Sequence, residues 1–218
     1  LEERFQYIDQ GSYLKLGNPN LNTEKGKSVD LGIRYYFNNF KLVSSIFYNY
    51  FNDLVIEKPG MFEGRPAFIK TNVGEARLYG FDLRTDYNFY NEMVAYLTAS
   101  YVKGDDVTGG GHLPNISPFN GIVGIRFDLL EVLEADISTT FFAEQNKIAA
   151  GEISAPGYAV LGLSMISKRV YFGSVSIRIA GGIDNILDKN YRNHLSTTRG
   201  SITTEPGRNF YIKLSTNW

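Results

Sequence analysis

Residues 208–218 alternate almost without exception between apolar and polar side chains, and this pattern constrains the fold more than any other feature of the chain. One face would carry Phe210, Ile212, Leu214 and Trp218, and the other Tyr211, Lys213, Ser215 and Asn217. A period of two predicts a β-strand whose faces contact two different solvents. Its final tryptophan favours the last strand of a closed barrel over an edge strand of a soluble sandwich.

The same alternation recurs along most of the chain and predicts about nine strands. The segments are 28–37, 41–51, 67–89, 93–103, 120–128, 133–144, 158–167, 170–183 and 208–218. Apolar residues share one face of each segment, and charged residues lie on the other. The charged positions are Arg34, Asp82, Arg84, Arg126, Asp136, Arg178 and Lys213. Because both signs are present, we expect them to face a plug or a hydrated lumen, and a simply solvated wall is the alternative.

The connections between these segments alternate in length. Short turns are predicted at 38–39, 90–92, 129–132 and 168–169, and long connections at 52–66, 104–119, 145–157 and 184–207. An up-and-down antiparallel sheet with short turns at one end and long loops at the other is typical of bacterial outer-membrane barrels. The sequence therefore predicts an all-β, antiparallel, up-and-down transmembrane β-barrel, with short periplasmic turns and long extracellular loops.

Aromatic residues collect at the short turns. They are Tyr35, Tyr36, Phe37, Phe40, Tyr87, Phe89, Tyr90, Phe127, Tyr171, Phe172 and, at the end of the chain, Trp218. A belt at this end matches the inner rim of a membrane barrel and predicts a periplasmic C-terminus. An odd strand count and the length of segment 67–89 indicate a large barrel seen in part, whose closing strand lies upstream.

Composition narrows the functional classes. The chain has 218 residues, with 22 Lys and Arg against 23 Asp and Glu, so no basic excess favours nucleic acid. There is no Cys, which excludes disulfides and thiolate metal sites. No apolar run approaches the length of a membrane helix. Because Leu1 is not an initiator Met, we expect the chain to be the C-terminal part of a longer polypeptide.

Several motifs, in order, resemble those of TonB-dependent outer-membrane receptors. They are Leu1–Phe5 with Gly17–Leu21 and residues 24–32; Ala76 with Tyr79–Asp82; Leu113, Pro114 and Ile116–Pro118; Asp184–Lys189 with Tyr191; Glu205–Phe210; and the terminal Trp218. The resemblance implies that residues 1–26 form an extracellular loop leading into the first strand and that 27–218 form the C-terminal strands of a 22-stranded barrel.

The same resemblance implies a function and partners. The whole protein would take up a scarce nutrient, such as an iron–siderophore or a metal chelate, energised by the inner-membrane TonB complex through an N-terminal part absent from this chain. Outer-membrane lipid would surround the wall. The barrel-assembly machinery would read Phe210, Ile212, Leu214 and Trp218. No cofactor is expected.

Candidate ligand residues lie in the long connections. His112 lies near Asp105 and Asp106, and His194 follows Tyr191 and Arg192. These residue types could bind a metal or a chelate, although solvated loop residues are the simpler interpretation. Residues 1–17 contain no His, which argues against haem as the substrate.

Two other functional classes stay open at this point. A passive porin-like channel would share the wall, and a soluble β-sandwich would share the alternation. An enzyme is not expected, because His194 and Ser196 lack the spacing of a nucleophile and its base.

Overall fold

The computed structural model describes residues 2–90, 93–197 and 203–218, which form one sheet of 13 strands. The elements are α1 (Glu2–Phe5), β1 (Tyr7–Asp9), β2 (Leu14–Leu16), β3 (Lys25–Phe37), β4 (Phe40–Phe62), β5 (Arg65–Tyr90), β6 (Met93–Asp106), β7 (Gly111–His112), β8 (Asn120–Leu130), β9 (Leu133–Phe142), β10 (Tyr158–Ser167), β11 (Val170–Phe172), β12 (Val175–Asp184), α2 (His194–Thr197) and β13 (Asn209–Asn217). Neither described helix is long or apolar enough to cross a bilayer.

Nine of these strands form a continuous wall in which each strand is antiparallel to the next. The order is β3, β4, β5, β6, β8, β9, β10, β12 and β13. This confirms the predicted all-β antiparallel architecture and its nine long strands. Within the described residues β3 and β13 do not pair with each other, so the sheet is open.

The register assigns each wall residue to one of two faces, because directly paired residues share a face. Ile33 pairs with Ser44, which pairs with Leu83, and this row lies on the apolar face. Across the wall the apolar face ends with Ile212, which is 87% exposed, and Trp218, which is 92% exposed. Such a continuous exposed apolar surface needs a covering partner.

Close packing on the polar face depends on glycine at two strand positions. A Cβ on Gly124 would lie 2.6 Å from the ring of Tyr96, and a Cβ on Gly182 would lie 2.6 Å from the hydroxyl of Tyr211. Each tyrosine therefore lies flat over a neighbouring strand that has no side chain at that point. The two glycines therefore allow the tyrosine rings to pack closely against the polar face of the sheet.

Most short turns lie where the sequence predicts them. β3 and β4 are joined at Asn38 and Asn39, with Asn38 at a φ of 47°, and β8 and β9 are joined near Glu131. The part of the predicted turn at Asn91 and Glu92 lies outside the described residues, as does Leu1 of the first motif.

The predicted two-residue turn at 168–169 is wrong. The chain leaves β10 at Ser167, forms the short strand β11 and turns at Gly173, at a φ of 63°, before β12 begins at Val175. β11 pairs with the start of β12. The alternation of apolar residues runs through this small hairpin, so the turn was concealed within the predicted strand 170–183.

The long loop predicted at 52–66 is also wrong, because β4 and β5 continue as one hairpin to a two-residue turn at Glu63 and Gly64. Both turn residues have positive φ, at 49° and 78°, which is the type I′ geometry that suits the strand twist. Pro59 fits within β4 because β4 pairs with β3 only as far as Asn52 and is an edge strand beyond it. β5 has 26 residues, so the hairpin extends far beyond the 9–11 residues that a membrane strand needs.

The wall carries two aromatic belts on its apolar face. The predicted belt at the short turns is present on this face, with Phe37, Tyr90 and Phe172 all at least 60% exposed. A second belt lies toward the long loops, where contacting rings connect neighbouring strands. Its members are Tyr48, Tyr79, Phe81, Tyr101, Phe119 and Phe141. Two such belts flanking an apolar band are the pattern of a membrane barrel wall.

Candidate functional site

Most of the buried side chains among the described residues lie at the long-loop end of the sheet. Val73, Ala76 and Leu113 are almost fully buried and form one cluster. Leu14, Leu16 and Ala67 form a second, where β2 pairs in parallel with the upper part of β5. These clusters anchor the connection after β6 and the first residues of the chain to the projecting hairpin. The loop end is therefore a packed structure that can support a binding site.

One cavity, of about 330 Å³, lies between the upper hairpin and two long connections. Its lining includes Tyr13, Lys15, Glu57, Phe68, Asn115 and Glu152. Tyr13 and Phe68 meet edge to face with ring centroids 5.3 Å apart. The Glu57 carboxylate pairs with Lys15 at 3.2 Å and with Lys70 at 3.3 Å. The cavity thus combines aromatic surface with charged groups that are already held in place.

Glu152 connects three long connections at one side of this cavity. Its carboxylate accepts hydrogen bonds from the backbone N–H of Asn115 at 2.7 Å and of Ala149 at 2.9 Å. The ring of His194 lies 3.5 Å from the same carboxylate through Nε2, and its Nδ1 lies 3.2 Å from the carbonyl of Ile153. Two further contacts act alongside: Arg192 donates to the carbonyl of Ser154, and Gly151 packs on Pro59.

His194 was predicted as a ligand residue on an exposed loop. It is instead 2% exposed, and its ring holds the segment around Glu152. Arg192 likewise donates a hydrogen bond to the backbone carbonyl of Ser154. The structure therefore gives both residues a role in joining loops, and a direct ligand contact for them stays a prediction.

A second cavity, of about 420 Å³, opens on the polar face at the top of β9, β10 and β12. Three rings follow one another along it: Phe142 stacks on Tyr158 at 4.9 Å, and Tyr158 contacts Tyr191 at 4.5 Å. Asp184 and Glu205 add carboxylates to the lining. Tyr191, a predicted ligand residue, thus lies in a cavity together with Tyr158, which the sequence did not single out.

The electrostatics of this cavity keep its tyrosines neutral. Burial raises the pKa of Tyr158 well above its usual range, and the neighbouring Tyr191 and Glu205 act in the same direction. Burial also raises the pKa of Tyr191, again with help from Glu205. Both hydroxyls therefore act as neutral hydrogen-bonding groups near neutral pH, and a phenolate metal ligand is disfavoured.

The other predicted histidine lies on the second hairpin of the loop end. His112 Nδ1 is 3.8 Å from a carboxylate oxygen of Asp105. Asp106 does not join them, because its carboxylate accepts the N–H of Gly109 and closes the turn before β7. Among the described residues, no group of three or more His, Asp or Glu side chains is arranged to hold a metal ion.

The turn-forming residues after β12 fold into a compact clasp, as expected of a structural motif. The amide of Asn185 donates to the carbonyl of Lys189, and its oxygen accepts the N–H of Lys189. Asp188 accepts the N–H of Arg208 at 2.8 Å, and Arg208 donates from Nε to the carbonyl of Ile186. The clasp fixes the start of β13 beside the end of β12.

The seven predicted lumen charges all fall on the polar face by register. Arg126 lies between Glu134 and Asp136, at 3.6 Å from each, and Tyr96 donates to Asp136 at 2.8 Å. Arg84 lies 3.5 Å from Asp86 on the same face. The other members of the predicted set are Arg34, Asp82, Arg178 and Lys213.

Known structures share this fold. The copper transporter OprC matches with a TM-score of 0.79 and 22% identity, over 91% of this chain and 32% of that one. A variant of the ferric enterobactin receptor PfeA from Pseudomonas aeruginosa, bound to enterobactin, matches with a TM-score of 0.66 and 18% identity, over 99% and 34%. The siderophore receptor PirA from Pseudomonas aeruginosa matches with a TM-score of 0.64 and 16% identity, over 97% and 34%.

The chain thus spans about a third of the length of these structures. None of the curated proteins compared with the chain matches it. The family model described as "TonB dependent receptor-like, beta-barrel" matches residues 4–186, which is most of the sequence and most of the wall. The chain therefore belongs to the family of TonB-dependent receptor β-barrels.

Proposed function

We propose that this chain is part of the wall of an outer-membrane receptor that takes up a scarce nutrient by TonB-energised transport. The observation that carries the proposal is a wall with one apolar face bounded by two aromatic belts and one polar face with paired charges. Lipid would cover the first face. The short turns and the end of β13 would lie in the periplasm, and the long connections would lie outside the cell.

The polar face supports a barrel filled by a plug. Its charges are of both signs and several are paired, as in the contacts of Arg126 with Glu134 and Asp136. A wall of this kind can form and break salt bridges with a removable domain, whereas an ion-selective pore is usually lined by one dominant sign. The predicted plug-facing residues Arg34, Asp82 and Arg178 belong to this surface.

We propose that residues lining the two loop-end cavities contact the transported ligand. The cavity around Tyr158 and Tyr191 opens on the polar face, where an incoming solute would pass. The cavity around Tyr13 and Glu57 lies higher, on the projecting hairpin. The similar structures include a copper transporter and a siderophore receptor, and we propose a metal or iron chelate as the nutrient class here.

The partners follow from this proposal. The TonB complex would act through the plug, and the barrel-assembly machinery would read Phe210, Ile212, Leu214 and Trp218. The first three of these side chains lie on the apolar face of β13 and Trp218 directly follows the strand, and all four are at least 64% exposed.

Uptake by the full-length receptor tests the proposal. Cells that produce it are given radiolabelled ferric and cupric chelates, with and without a functional TonB complex. We expect the cells to take up either the ferric or the cupric chelates, and to do so only when the TonB complex is functional. Uptake that does not depend on TonB would indicate a passive channel, and protein that needs no detergent and shows no heat-dependent gel shift would indicate a soluble sandwich.

A pair of variants connects the function to the second cavity. Replacing Tyr158 and Tyr191 with Ala in the full-length receptor removes the stacked rings, and we expect binding of the transported chelate to weaken at least about tenfold. Tyr171→Ala is the control, because Tyr171 is exposed at the opposite end of the wall. Equal binding by both variants would exclude this cavity as a ligand contact.

A further inference from the structure

A strip of cationic side chains lies on the apolar side of the wall, immediately beyond the upper aromatic belt. The register places Lys27, Tyr50, Arg77 and Asp105 in one row across β3, β4, β5 and β6. The next row toward the short turns is Val29, Tyr48, Tyr79 and Lys103, and the next row outward contains Lys25 and Glu75. The strip therefore begins where the apolar band ends.

Contacts within the strip hold two of its cations in position. Asp105 lies 3.2 Å from Lys103 and 3.9 Å from Arg77. The Lys103 ammonium also lies over the ring of Tyr79, 5.6 Å from its centroid. Since Lys103 has three donors and Arg77 has five, one shared carboxylate leaves most of these donors available.

The strip has a net positive charge. Its cations are Lys25, Lys27, Arg77 and Lys103, and its carboxylates are Glu75 and Asp105. Within the described residues neither Lys25 nor Lys27 forms an ion pair, and both are exposed. Asp105 is the most covered charged group, with its side chain 15% exposed, whereas that of Arg77 is 44% exposed. The cations thus form the accessible surface.

We propose that this strip binds phosphate groups on the headgroups of lipids in the outer leaflet. The inference rests on the proposed insertion of the wall in the outer membrane. Aromatic belts mark the boundary between hydrocarbon and headgroup, so the cations directly beyond the upper belt lie at headgroup depth. Guanidinium and ammonium groups form charge-assisted hydrogen bonds to phosphate, and the arginine fork does so with two parallel bonds.

The test uses the full-length receptor in nanodiscs that contain diphosphorylated lipid A or its dephosphorylated form. The triple variant Lys27→Gln, Arg77→Gln and Lys103→Gln removes three cations of the strip. The control Arg34→Gln, Lys41→Gln and Arg84→Gln removes three cations from the polar face of β3, β4 and β5, nearer the short turns. Native mass spectrometry counts the lipid A molecules that stay bound after detergent exchange.

We expect the strip variant to retain at least about fivefold less diphosphorylated lipid A, because even one such contact changes binding by about this factor. The control variant and the dephosphorylated lipid should show no such dependence. Retention equal to that of the unmodified receptor would overturn the proposal.

The heat-dependent gel shift of each variant separates this outcome from failure of the proposed function. A strip variant with a normal gel shift that still retains lipid A contradicts only the proposal that the strip binds lipid phosphate. A receptor that shows no shift at all contradicts membrane insertion itself.

Discussion

The two ends of the wall are constructed differently. At the short-turn end the strands are joined by turns of a few residues, and the exposed aromatic rings follow from local alternation. At the long-loop end, single side chains such as Glu152 and Asn185 connect segments that are far apart in sequence, Glu152 with Asn115 and His194 and Asn185 with Pro206. The comparison indicates that the short-turn end depends on its surrounding solvent, whereas the long-loop end depends on specific contacts.

The largest expected effect tests the solvent of the apolar face. Ile33 lies near the middle of the apolar band, and Ile33→Arg would place a charge in hydrocarbon. We expect a destabilisation of about 2–4 kcal/mol, the range for a cation at the bilayer midplane. Urea unfolding of the full-length receptor in lipid vesicles measures it.

Ser45→Arg is the matched control, because Ser45 lies on the polar face directly opposite Asp82. An arginine there gains a carboxylate partner, so we expect little change in unfolding. Equal losses for the two variants would contradict the assignment of the faces.

The second prediction concerns the loop end. Glu152→Ala removes the carboxylate that accepts the backbone N–H groups of Asn115 and Ala149 and lies 3.5 Å from the His194 ring. We expect a local loss of about 1–3 kcal/mol, since each of the two hydrogen bonds contributes about 0.5–1.5 kcal/mol. Hydrogen exchange should become faster in residues 113–119 and 145–157 and stay unchanged at the short turns.

Glu131→Ala provides the comparison, because Glu131 is an exposed residue of a short turn. Its exchange pattern should match that of the unmodified receptor. Unchanged exchange around Asn115 in the Glu152 variant would show that the carboxylate does not hold the loops together.

The third prediction concerns the clasp at the start of β13. Asn185→Ala removes both hydrogen bonds to Lys189. It also places alanine, which has no side-chain amide, at a left-handed φ of 51°. We expect a loss of about 1–2 kcal/mol and slower docking of the last strand, measured by refolding into detergent. Asn190→Ala, at an exposed neighbouring position, should refold at the normal rate.

The smallest effect is a pH response at the top of the hairpin. Two hydrogen bonds from the Arg65 guanidinium lower the pKa of Asp9 from 3.8 to about 2, and the N–H of Gly11 contributes. Because the folded pKa is the lower one, the pair stabilises β1 above about pH 4 and this contribution is lost as the pH falls toward 2.

Hydrogen exchange of residues 7–16 between pH 4 and pH 2 measures this loss against Asp9→Asn. The variant should lack the extra pH dependence. A response of equal size in both proteins would assign it to other groups.

The sequence predicts the wall well because the physics that forms it is local. Period-two alternation determined the faces, so Arg34, Arg126 and Lys213 all lie where the pattern puts them. The prediction from alternation failed at Gly173, because the pattern continues through the turn there. It also failed at Glu63 and Gly64, because this short turn signal did not separate the two strands that it joins.

The candidate site was less predictable because it depends on long-range contacts. Lys15, Glu57 and Lys70 come together only when β2 joins the upper part of β5. The sequence identified His194 by residue type, but its burial against Glu152 depends on the path of another connection. Tyr158 had a local signal, as the first residue of a strand at the loop end, but nothing that indicated its contact with Tyr191.

The two-residue turn of the β4–β5 hairpin has a consequence for how the molecule can change over evolutionary time. Pairing is in register from Phe40 with Tyr87 to Phe62 with Arg65. Removing two residues from each strand near the tip would shorten the projection by roughly 7 Å and keep every remaining side chain on its face. Removing one residue from each strand would move the side chains at the tip to the opposite face of the hairpin. The length of the hairpin beyond the apolar band can therefore vary in paired steps, while the apolar face of the wall stays the same.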